Sequence, residues 1–219
     1  MKREIHEAEV RKNIIRAARK LFMRQGYENT TVRQIKDVAG VKIGTLYHFY
    51  RNKEDIFAVI VSESFFRVLE RTRRLTNDNT SLDIAAELAW HVYTMVLHAQ
   101  SAELYLVSYN SIKISEQLLS DQTARSAELF AQQLPHWTTH EHRCYAMLAR
   151  GLMQSISLQA VAGTLGEPEP LIRRSIEMLL KILGTPADEI TETFEQLNTL
   201  NLKERVQTAL KKDQEMAGV

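Results

Sequence analysis

Apolar positions recur along this chain at the three- and four-residue spacing of helices, and no segment sustains the alternation of a strand. Val10, Ile14, Ala17, Ala18, Leu21 and Phe22 form one stripe. It predicts a first helix ending near Gln25, with Gly26 placed to close it in the left-handed conformation. Thr31-Val32-Arg33-Gln34 reads as a capping box, in which the Thr hydroxyl and the Gln amide serve donors that a helix start leaves unpaired. A second helix to about Ala39, a turn at Gly40 and a third helix over roughly Lys42 to Phe49 follow. Asn52 is placed to cap a long fourth helix, with Glu54 and Asp55 in its first turn, where the helix dipole favours acids. Its apolar face continues through Ile56, Ile60, Phe65, Val68 and Leu69, so this helix would join head to body.

The polar run from Thr76 to Thr80 predicts a break, with Ser81 capping the next helix. Further helical patterns fall at about 82–99, 102–110, 112–133, 139–163, 169–183 and 188–212. Gly163 to Pro170 and Gly184 to Pro186 are boundaries between them. The class is therefore all-α: a three-helix head over 1–55 with a helix-turn-helix, on a larger helical body over 56–219.

Composition narrows this picture little: 44% hydrophobic and 25% charged residues describe an ordinary globular protein. Every apolar run is broken by charge before it could span a bilayer, so no membrane contact is expected. The N-terminus, MKREIHEAEVRK, lacks the apolar core of a signal peptide, and the single Cys144 allows no intrachain disulfide. Both features fit a reducing cytoplasm. Charge is more informative. Residues 1–55 hold 13 Lys/Arg and 7 Asp/Glu, a net +6, and the remainder carries −5. A basic head on an acidic body suits a protein whose head alone meets phosphates, although uneven surface charge without a partner would give the same split.

In a helix-turn-helix the first helix braces the second, which enters the DNA major groove. Ile35 and Ala39 then point inward, and Leu46, three residues after Ile43 and four before Tyr50, faces the core. Lys42, Ile43, Thr45, Tyr47 and His48 are left outward, and Gly44 allows close approach of the backbone. Lys42 sits at the helix start, where backbone N–H groups also favour phosphate.

These residues resemble the head of the TetR family of bacterial transcriptional regulators. The resemblance rests on Thr30-Thr31, Ile35, Ala39-Gly40-Val41, Gly44-Thr45-Leu46-Tyr47, Lys53-Glu54 and the preceding Gly26-Tyr27, and it covers about the first sixty residues. Four positions depart from the family pattern: Lys36 replaces a small Ala, Lys42 replaces Ser, and Phe49-Tyr50 replaces Tyr-Phe, which would move Tyr50 to the core position. The resemblance implies phosphate contacts from Thr30, Thr31, Arg33, Tyr47 and Lys53, with Arg33 also in reach of a base. It further implies base contacts from Lys42, Ile43, Gly44, Thr45 and His48, with Ile43 or Thr45 against a thymine methyl.

It also implies a homodimer on double-stranded operator DNA, because one head touches too few bases for specificity. Dimerisation would use the helices at 139–163 and 169–183, through Gly151, Ser155, Leu158, Ala162, Ile172, Ile176 and Leu180; burial of these faces inside one subunit is the alternative. A small lipophilic effector would lie among Trp90, Tyr93, His98, Tyr105, Tyr109 and Met147, residues that could equally be plain core. The expected activity is ligand-responsive repression. Activation, control by a partner protein, or a non-DNA-binding adaptor or enzyme on the same fold are the alternatives. Catalysis finds little support, since no Gly-rich phosphate loop, Glu-x-x-His pair or nucleophile–base arrangement is visible. His140 and Cys144 share a helix face, but their spacing matches no common zinc pattern and Cys144 is expected to be buried; no metal or cofactor is assigned.

Overall fold

A computed structural model describes residues 2–217, and among these the chain forms eleven helices and no strand. The head comprises α1 (Lys2–Gln25), α2 (Val32–Ala39) and α3 (Ile43–Phe49), and α4 (Lys53–Thr76) runs from it into the body. The body adds α5 (Thr80–Leu97), α6 (Ala99–Asn110), α7 (Ile112–Leu129), α8 (Thr139–Ala162), α9 (Pro168–Ile182), α10 (Ala187–Thr199) and α11 (Leu202–Ala217). No helix among the described residues is long and apolar enough to cross a membrane.

Local chemistry sets most boundaries. Both arms of the Thr31–Gln34 capping box form, and Thr138–Glu141 makes a second one at the start of α8. The Asn52 side chain accepts the Asp55 N–H at 2.8 Å and starts α4. At the far end, Asn77 (φ 52°) and Asp78 (φ 60°) turn the chain through the left-handed region, which short polar side chains tolerate. Asn79, rather than the expected Ser81, caps α5. Ser81 is buried instead and donates to Glu189 Oε1 at 2.6 Å.

The pattern over 188–212 predicted one helix, but the chain breaks it at Leu200-Asn201, with Asn201 at φ 49°. The reversal lets Ile190 and Phe194 of α10 and Leu202 and Val206 of α11 all bury. A straight helix could not lay both segments against α5, which both contact. α11 also reaches α1, and Asp213 lies 4.0 Å from Arg67 and from Arg71 of α4. α5 is the central post: every residue from Ser81 to Trp90 is buried, and α4, α6, α8, α9, α10 and α11 pack on it.

The head core joins Ile14, Ala18, Leu21 and Phe22 of α1 to Ile35, Leu46 and the first turns of α4. Phe57 is edge-on to Phe22 at 5.4 Å and lies 4.8 Å from Tyr27. The boundary expected at residue 55 therefore falls inside α4, because Ile56, Phe57 and Ile60 belong to the same core cluster as Phe22, Ile35 and Leu46. Phe57→Ala should remove about 3–5 kcal/mol, a large share of a typical domain's stability, and lower the thermal midpoint markedly. Calorimetry checks this; a loss below about 1 kcal/mol would mean that the head does not hang on this contact.

Candidate nucleic-acid interface

The turn between α2 and α3 closes through Gly40 at φ 68°, where an L side chain would be strained. The Gly40 N–H donates to Asp37 O at 3.3 Å and the Val41 N–H to Lys36 O at 3.1 Å, so the last carbonyls of α2 are satisfied. Lys36, the departure between the two helices, is half-buried with its ammonium paired to Asp37. Leu46, fully buried, pins the inner side of α3. Its outer side is open: Ile43 is 40% exposed, Tyr47 53% exposed, and Lys42, Gly44 and His48 are exposed with them, while Thr45 is half-buried. Lys42 occupies the N-cap position without a side-chain cap bond. Arg33 is exposed on α2.

Two expected phosphate contacts are placed differently. Thr30 is 1% exposed, and its hydroxyl donates to Gly26 O at 2.8 Å, so it closes the loop after α1. Lys53 donates to Tyr27 O at 2.7 Å, with its ammonium 4.0 Å from the Tyr27 ring centre. Burial pulls the Lys53 ammonium below its usual range, as expected for a group drawn back from water. Thr31 is exposed, but its hydroxyl is engaged in the capping box. Tyr50 does not take a fully buried position: Phe49 and Tyr50 are both half-buried, and the Arg11 guanidinium stands 4.8 Å over the Phe49 ring. The composition of the helix pair gave no sign of Val38, which is 51% exposed on α2.

Residues 14–60 match the family described as "Bacterial regulatory proteins, tetR family". The head, with the start of α4, is thus similar to that family. The HTH-type transcriptional repressor AcnR of Corynebacterium diphtheriae is 33% identical over 60 residues, 27% of this chain and 32% of that protein. The match thus spans about a third of the length of this curated relative. The fold is similar to that of RolR in complex with resorcinol (TM-score 0.66, 16% identity, 87% of this chain and 95% of that one). FadR from Bacillus halodurans, a fatty acid degradation regulator, shares it less closely (TM-score 0.55, 18% identity, 78% and 94%).

Between the head and the body lies a tether that sequence did not reveal, since its partners are 57 and 58 residues apart. Ser111, which caps α7, donates to Glu54 Oε1 at 2.6 Å, and Lys113 pairs with Asp55. The hydrogen bond from Lys113, followed by that from the Arg51 N–H, holds the Asp55 carboxyl below its usual range against some desolvation.

The body places the expected effector residues, Met147 excepted, in packed core and caps. Trp90 and Tyr109 are buried. The His91 ring bonds the Tyr105 hydroxyl and stacks on Phe65, and burial drives His91 down to about 4, so it is neutral. His98 caps α6 by accepting the Ser101 N–H at 3.1 Å, and Tyr93 is half-buried with Lys203 5.9 Å from its ring centre. Met147 is 51% exposed on α8. An open cleft of about 740 Å³ lies elsewhere, between the C-terminal halves of α4 and α7, with Phe66, Leu69, Arg73, Ala124, Arg125 and Leu129 among its lining.

Of the expected dimer residues, Gly151, Ser155, Leu158 and Ala162 are exposed along α8. Ile172, Ile176 and Leu180 are buried within the subunit, so those positions of α9 serve its own core. Met178 and Ile182 are the exposed apolar residues of α9. Cys144 is exposed, not buried, with Sγ 3.6 Å from His140 Nε2; His142 turns inward and bonds Ser126 Oγ at 2.9 Å.

Arg125, on the cleft wall, grips Glu87 of α5 through both guanidinium nitrogens, one at 2.6 Å. Burial pushes the Glu87 carboxyl up to about 7, with the guanidinium pulling against it. A carboxyl raised on folding contributes most below its unfolded pKa, and that contribution falls as pH rises through the folded value. Arg125→Ala removes the opposing pull and strands the acid, so about 3–5 kcal/mol should be lost at pH 8 and less at pH 5. Urea melts at both pH values check this; a pH-independent loss would mean that Glu87 does not titrate in this window.

Proposed function

We propose that this protein is a homodimeric, ligand-responsive transcriptional repressor that grips operator DNA with α3 of each head. The observation that supports this best is the contrast within α3: Leu46 is locked in the core while Lys42, Ile43, Tyr47 and His48 are held outward on a basic head. Arg33 and Lys42, both exposed, take phosphates; Thr31 and Tyr47 add hydroxyls at the margin. Thr30 and Lys53 act by fixing the loop that carries α2.

Dimerisation uses the exposed stripe of α8, with Leu148, Gly151, Ser155 and Leu158 meeting the same face of a second copy beside Met178 and Ile182 of α9. Leu158→Arg should give monomers in sedimentation and abolish cooperative DNA binding; an unchanged dimer would move the interface elsewhere.

The effector enters the cleft between α4 and α7. Charges of both signs line it beside Phe66, Leu69 and Leu129, which suits an amphipathic molecule better than a purely lipophilic one. α4 and α7 are tied at their N-terminal ends by Ser111–Glu54 and Lys113–Asp55 and splayed at the cleft. A molecule wedged at the open end turns α4 about the tied end and moves the heads. It releases DNA only by preferring the turned state, and a loss of affinity by tens-fold needs about 2 kcal/mol of such preference.

A salt titration on the DNA upstream of the protein's own gene tests the DNA reading. Affinity should fall steeply with salt, and Lys42→Ala should make the slope shallower by about one. Affinity flat in salt, together with no effect of Tyr47→Ala, would sink it.

A further inference from the structure

Every arginine that faces the cleft between α4 and α7 is already spent on a carboxylate. On the α4 wall Arg74 pairs with Glu70, and Arg73 Nε stands 3.7 Å from Asp78 Oδ1. On the α7 wall Arg125 holds Glu87, one of its two bonds at 2.6 Å. Two acids of the α7 wall are left over. Among the described residues Asp121 accepts the Gln117 amide at 2.9 Å but meets no cation, and Glu128 has neither a hydrogen bond nor an ion pair from its side chain. Three arginines of the lining thus face four carboxylates, and the surplus is negative whether or not Glu87, behind Arg125, is ionised. Asp121 and Glu128 lie two helical turns apart, on the same face of α7 as Arg125.

The opposite wall supplies a ring. Phe66 of α4 is 53% exposed at the cleft, with Leu69 and Leu129 as further apolar lining. An aromatic face attracts an ammonium through its quadrupole, so Phe66 adds to the pull of the two acids on a charged nitrogen. An anionic head group would find no arginine free and two unpaired carboxylates beside it. A neutral chain would cover those carboxylates without replacing the water it displaces, which is costly. An inorganic cation would satisfy the acids but gain nothing from the apolar walls.

We infer that the cleft selects an organic cation, its charged nitrogen set against Asp121, Glu128 and the Phe66 ring and its hydrocarbon arm laid on Leu69 and Leu129. The inference rests on the reading of this cleft as the effector site and adds to it the sign of the effector's charge. α7 supplies the surplus acid and α4 the ring, so the cation bridges the two helices whose separation it changes.

The test titrates the full-length protein by calorimetry with three probes of one chain length, decyltrimethylammonium, decanol and decanoate, all well below micelle formation. Two partly exposed charge pairs and one ring contact together give about a tenfold preference for the cation over the alcohol, with decanoate the weakest. Phe66→Ala should weaken all three. The double change Asp121→Asn with Glu128→Gln should leave decanol binding as it was and remove the preference, and added salt should shrink it in the unchanged protein. If none of the probes binds, or if Phe66→Ala changes nothing, the effector reading of the cleft fails and the inference falls with it. If they bind through Phe66 but equally well, or decanoate binds best, the inference alone is overturned. A cation preference that survives the double change overturns it too, since the two acids would then not be its source.

Discussion

The packing of Phe57 against Phe22 and Tyr27 is the contact on which the head's position depends. Phe57 belongs to α4, so the helix that leads into the body is also a wall of the head's core. Tyr27 sits in the loop that leads to α2, and Lys53, four residues before Phe57, holds that loop by its carbonyl and its ring. α2 and α3 therefore follow α4 as one piece, and any tilt of α4 becomes a displacement of the outward face of α3.

In the proposed switch the rest of the body governs that tilt. α5 is a fixed post, buried along its first three turns, and the Glu87–Arg125 pair ties it to α7. α4 and α7 meet through polar contacts at one end and diverge at the other, around the cleft. α11 folds back from Asn201 to touch α1, with Asp213 near Arg67 and Arg71, and so adds to the hold on the head that α6, packed on α1, and the tether to α7 already give. Exposed ion pairs contribute little each, so the orientation of the head is held by weak contacts around one strong hydrophobic joint.

What was legible in the sequence was what local chemistry decides. The Thr31–Gln34 box, the Gly40 turn, the Asn52 cap and the buried Leu46 all follow from neighbours within four residues, and the helical periods placed most of the body. Placement of whole helices was not legible. Ile172, Ile176 and Leu180 carry the same apolar stripe whether it faces a second copy or the chain's own core, and only packing against the body selects the core. Thr30 and Lys53 have phosphate-seeking chemistry, yet in the loop after α1 the Thr30 hydroxyl is spent on the Gly26 carbonyl, and Lys53 adds a second donor to the Tyr27 carbonyl, which already accepts the Thr30 N–H. The break at Asn201 was hidden because the apolar period runs on unbroken through a residue able to turn left-handed.

On the proposed function, two heads of this kind bind one DNA duplex at a fixed separation. Hydroxyl-radical footprinting of the full-length protein on the DNA upstream of its own gene reads that separation. Two protected patches on one face of the duplex, with centres one helical turn or a whole multiple apart, are the expected result. A single patch would contradict the paired arrangement, and no protection at low salt would contradict DNA binding itself.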